Sequence, residues 1–135
     1  MDAVVFASRT GVRLELAPAA YPHGDVQRAV PTWRARLTGD GLDASLVCPE
    51  AGWEQHSLSD YLAALDRDWR GWEGDREWHS EEAELQLSAL HDKPNTVLVR
   101  VELTHEERWR CAAGLELDPG VFRQLAADAR RLGAA

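Results

Sequence analysis

The stretch AELQLSALHDKPNTVLVRVELTHEERWRCAAGLEL, residues 83–117, decides the fold. Its apolar residues fall at alternate positions in three runs: Leu85, Leu87 and Ala89; then Val97, Val99, Val101 and Leu103; then Trp109, Cys111, Ala113, Leu115 and Leu117. A period of two sends successive side chains to opposite faces, so each run reads as a half-buried strand with one apolar side. The connections HDKPN and THEE are too short for a crossover and impose antiparallel neighbours. REWHS, around Trp78, adds a short strand ahead of the three.

Upstream, the same signature recurs. AVVFAS and VRLEL pair across an S-R-T-G turn, and TWRARL and LDASLVC pair across T-G-D-G, with Trp33, Ala35 and Leu37 on one side and Arg34 and Arg36 on the other. PEAGWEQHS then breaks the pattern. Ser57, with Asp60 three residues on, is a capping pair for a helix whose face carries Leu58, Tyr61, Leu62, Leu65 and Trp69. Gly71 is placed to end that helix. Asp118 and Pro119 open a second helix with a stripe of Phe122, Leu125, Ala126, Ala129 and Leu132. The expected fold is α+β, in the order ββββ-α-ββββ-α: one curved antiparallel sheet of six to eight strands, with two amphipathic helices packed on one face.

A chain of 135 residues with 44% hydrophobic and 28% charged residues fits a single globular domain spanning 1–135. The N-terminus shows no basic region followed by an apolar run, and no stretch is long enough to span a membrane, so the expected address is cytoplasmic, without membrane association. Net charge is −8, of which −6 lies between Asp60 and Glu84. That balance argues against nucleic acid, whose phosphates need a basic face, and favours a basic protein partner. Cys48 and Cys111 lie on apolar sides of strands and read as small buried hydrophobes.

No catalytic motif appears. There is no G-x-S-x-G elbow, no phosphate-cradling P-loop and no H-E-x-x-H pair, and His23, His56, His79, His91 and His105 are dispersed, so neither a metal nor a cofactor is expected. What remains is DRDWRGWEGDREWHSEE, residues 66–82, where tryptophans interleave with carboxylates. Helical spacing puts Trp69 in the core and leaves Trp72 and Trp78 partly exposed beside an acidic rim. Glu73, Asp75 and Glu77 alternate in an extended segment and share a solvent-facing side. The bland reading is a closed core with a solvated edge. The functional one is a partner-binding surface of Asp66, Asp68, Trp72, Glu73, Asp75, Glu77, Trp78, Glu81 and Glu82, since aromatics anchor interfaces and charge steers encounter. A further alternative is a small-molecule or enzyme pocket lined by Trp53, Trp72, Asp75, Trp78 and His79.

Residues 57–133, with Trp69, Gly71, Trp72, Trp78, Trp109 and the closing helix, resemble an actinobacterial family of unknown function, unknown-function family 6228. In layout that family is similar to the small α+β immunity proteins of the WapI type. The resemblance implies a non-enzymatic binding protein, an immunity-like neutraliser of a basic toxin or effector.

Overall fold

The computed structural model describes residues 3–19, 32–49 and 57–134. Trp53, His23 and His56, and most of the PEAGWEQHS segment, lie outside the described residues.

Four strands come first: β1 (Val4–Ala7), β2 (Arg13–Pro18), β3 (Thr32–Gly39) and β4 (Leu42–Pro49). They form one antiparallel sheet in the order β1-β2-β3-β4. The β3–β4 hairpin closes through Asp40 and Gly41, with Gly39 opposite Leu42. Gly41 sits at φ +73°, where a side chain is strained, so glycine suits this position. Helix α1 (Leu58–Arg67) follows, then β5 (Asp75–His79), β6 (Leu85–Lys93), β7 (Thr96–His105) and β8 (Trp109–Leu117). These four make a second antiparallel sheet, ordered β5-β6-β7-β8. A 3-10 turn over Pro119–Val121 leads into α2 (Phe122–Ala134).

The fold is therefore α+β, as the patterning requires, but its strands form two sheets of four rather than one curved sheet. Alternation establishes that a segment is a strand and which side is apolar. It carries no information about which hairpins share a hydrogen-bonded ladder. The two sheets are joined by packing instead. Their inner faces and both helices contribute to a single buried cluster, running from Val4, Leu14, Trp33 and Leu37 through Leu58 and Leu62 to Leu87, Val101, Leu115, Phe122 and Leu132. At one corner the β1–β2 turn reaches the second sheet. Arg9 N–H donates to the Glu116 carbonyl at 3.1 Å, Glu116 N–H donates to Ser8 Oγ at 2.9 Å, and the Arg9 guanidinium bonds the Asn95 carbonyl at 2.8 Å.

The expected cap is in place at α1, whereas Asp118 caps the 3-10 turn ahead of α2, which itself begins three residues later than expected, at Phe122. Ser57 Oγ accepts from Asp60 N–H at 3.1 Å, satisfying one of the free amides of the first turn of α1. Asp118 Oδ1 accepts from Gly120 N–H at 2.8 Å, with Pro119 just inside the 3-10 turn. The whole stripe Phe122, Leu125, Ala126, Ala129 and Leu132 is buried.

Three expectations about burial are overturned. Trp69 is 51% exposed, because α1 stops at Arg67: Asp68 caps it, Trp69 N–H turns back to the Asp66 carbonyl, and beyond that point helical spacing no longer applies. Trp78 is only 3% exposed, its ring stacked on Trp33 at 6.2 Å where the two sheets meet. Trp109 and Cys111 point inward but are half-buried, near the start of the edge strand β8. The strands also run further than the turn signals suggest, so His91 belongs to β6 and His105 ends β7, stacked on Trp109.

Cys48 is fully buried, and burial together with the nearby Glu84 carboxylate pushes its thiol up to about 12. A thiolate is what alkylates, so native protein treated with iodoacetamide near neutral pH should be modified at Cys111 and spared at Cys48. Peptide mass mapping checks this, and modification of Cys48 first would contradict the buried placement.

Candidate functional site

The acidic run of residues 66–82 turns out to build one edge of the second sheet. β5 is the edge strand, and alternation along it sends Arg76 and Trp78 inward while Asp75, Glu77 and His79 face outward. Glu73, Asp75, Glu77, Glu81 and Glu82 are exposed, and Asp66 and Asp68 are half-buried at the end of α1. Charged residues on a short edge strand discourage unwanted strand pairing, so part of this charge has a structural reason.

The inner side of the edge is a set of interlocking contacts. Asp68 Oδ2 accepts from Arg76 Nη1 at 2.7 Å, and the same guanidinium lies 5.0 Å from the centre of the Trp72 ring. Trp72 Nε1 donates to the Ala89 carbonyl at 3.2 Å, and its ring meets His91 edge-on at 5.0 Å. His91 Nε2 in turn donates to the Trp69 carbonyl at 2.9 Å. Tyr61 Oη donates to the Arg76 carbonyl at 2.7 Å, capping a polar group of the edge strand, and burial pushes its phenol well above the ordinary tyrosine value. Gly74, at φ +75°, makes the turn that brings the chain from Trp72 into β5.

The structure thus separates the expected binding residues. Asp68 is engaged by Arg76, Trp78 is core, and Trp72 is half-buried with its polar group bonded. Asp75 and Glu77 have no ion pair among the described residues and face solvent. Trp69 is the exposed aromatic beside them in sequence, with the Arg70 guanidinium 5.3 Å over its ring. Helical periodicity pointed away from Trp69, and only the early end of α1 reveals it.

Of the residues expected to line the alternative pocket, Trp78 and His79 border one cavity of about 220 Å³, together with Glu77, Gln86 and Arg100. Trp78 lies on the inner face of β5, and Asp75 and His79 on the outer. Trp72 packs toward Ala89, and Trp53 lies outside the described residues. A separate groove of about 450 Å³ runs between α1 and β5, lined by Asp60, Tyr61, Arg67, Glu77 and Trp78. Among the described residues no group of three or more His, Cys, Asp or Glu could hold a metal ion. No helix among them is long and apolar enough to cross a membrane.

Two four-stranded antiparallel sheets sharing a core with two helices, and an acidic edge strand, define a small α+β protein. The chain belongs to the family described as a family of unknown function (DUF6228), which matches residues 6–134. No curated protein matches it.

Proposed function

We propose that the protein is a non-enzymatic binding protein that recognises a basic protein partner through the acidic edge of its second sheet. The observation supporting this is that Asp75 and Glu77, outward on β5, have no ion pair among the described residues, whereas Asp68 nearby has one. Exposed uncompensated carboxylates raise the rate of encounter with a cationic surface, and Trp69 supplies an exposed aromatic that an interface can bury. A cytoplasmic immunity-like role, neutralising a basic toxin or effector in the manner of the WapI-type immunity proteins, is the biological form of this reading.

The test is capture from the native host, comparing the wild-type chain with the variant Glu73→Lys, Asp75→Lys, Glu77→Lys. Asp68 is left intact because its ion pair with Arg76 organises the turn. The expected result is a basic protein retained by the wild type, released as salt rises and lost by the variant, with both proteins equally stable. Equal recovery by the two would refute an electrostatic role for this edge.

A further inference from the structure

The outward side of the second sheet continues well beyond the acidic run. The register places Asp75, Leu90, Leu98 and Glu116 in one row across the four strands. The neighbouring row is Glu77, Ser88, Arg100 and Gly114. Over the first row lies a shallow trough of about 470 Å³, bordered by Asp75, Ser88, Leu90, Leu98, Arg100 and Glu116 among others. Its floor is apolar: Leu90 and Leu98 are half-buried on the face that a one-sided antiparallel sheet ordinarily gives to polar residues. Gly114 leaves the middle of β8 open, with no atom within 4 Å of where a Cβ would stand. A carboxylate stands at either end, Asp75 on β5 and Glu116 on β8, and neither has an ion pair among the described residues. Arg100 leans along its own strand toward Glu102, 4.0 Å away, and Glu102 also holds Arg110 at 3.0 Å.

We infer that this trough is the docking site for an extended, arginine- or lysine-rich segment of a protein partner. The inference rests on the binding function proposed above and extends it from one edge to the whole outer face. An apolar floor between two uncompensated carboxylates suits cationic side chains, whose long alkyl stems lie on Leu90 and Leu98 while their charged ends reach Asp75 and Glu116. Arg100 is the one element of the trough that opposes such an occupant, which yields a test in the direction of gain.

The experiment is a titration of the full chain with a short synthetic peptide of alternating arginine and leucine, followed by amide NMR and by fluorescence anisotropy. The same peptide with glutamate in place of arginine serves as control. The backbone amides of Leu90, Leu98 and Gly114 should shift. Glu116→Gln should weaken binding about threefold and Arg100→Ala should tighten it by a similar factor, the scale of partly solvated charge pairs. A tightened variant cannot be explained by misfolding. Shifts confined to residues 66–82, with both variants indistinguishable from wild type, would overturn the trough and leave the acidic-edge reading standing. Absence of binding, or equal binding of the glutamate peptide, would overturn both.

Discussion

Replacing Trp78 by Ala should destabilise the protein by about 3–5 kcal/mol, the range for a large aromatic removed from a core. Replacing Trp69 by Ala should change stability by no more than about 0.5 kcal/mol, as for an ordinary surface position. The contrast follows from placement. Trp78 is 3% exposed, stacked on Trp33 at 6.2 Å and tilted against Tyr61 at 6.5 Å, so its loss opens a cavity where the two sheets and α1 converge. Trp69 is 51% exposed, and the bond from this residue to His91 uses its backbone carbonyl, which alanine retains. Helical spacing from Leu62 and Leu65 leads to the reverse order, with Trp69 the costly one. Urea denaturation of the two variants decides between them, and an equal, severe loss in both would mean that the turn after α1 is itself core. Trp72→Ala should fall between the two, since it loses partial burial and the bond to the Ala89 carbonyl.

Ser80→Ala should cost about 1–3 kcal/mol, far more than a missing hydroxyl on an exposed serine, because it strands buried polar groups. Ser80 is fully buried between β5 and β6. Its Oγ donates to Glu84 Oε1 at 2.7 Å and accepts from Leu85 N–H at 3.0 Å, where the chain turns through Ala83 at φ +59°. Alanine leaves the Leu85 amide without that acceptor and the Glu84 carboxylate with only the Glu82 amide, 3.0 Å away, of these contacts. Ser80→Thr, which keeps the oxygen, separates the hydrogen-bonding loss from any effect of size. Thermal unfolding measures both, and a Ser80→Ala variant as stable as wild type would show that water replaces the hydroxyl there.

Nothing in the local pattern marks Ser80 as special. It is a polar residue in a polar stretch, and its side chain meets Cys48 of β4 only through the fold. Cys48, inward on β4, and Glu84 were each readable alone, but their proximity to Ser80 is a tertiary fact. The same limit applies to the acidic stretch. That Asp75 and Glu77 share an outward side was legible, because alternation in an extended segment is a local property. That Asp68 is spent on Arg76, while Glu116 on β8 joins Asp75 in one row, was not, since those partners meet only through the fold.

By itself, then, the sequence determined the strands, their apolar sides, both helix starts and the concentration of negative charge around β5. Each of these depends on neighbours along the chain: a period of two, a stripe of 3.6, a capping hydroxyl, a turn glycine. The tertiary structure alone decided that eight strands divide into two sheets, that α1 ends before Trp69, and that Trp78 rather than Trp69 closes the core. Those outcomes turn on which apolar surfaces meet. Trp33 and Trp78, 45 positions apart in the chain, stack where the two sheets meet, and Asp68, just past the end of α1, pairs with Arg76 of β5.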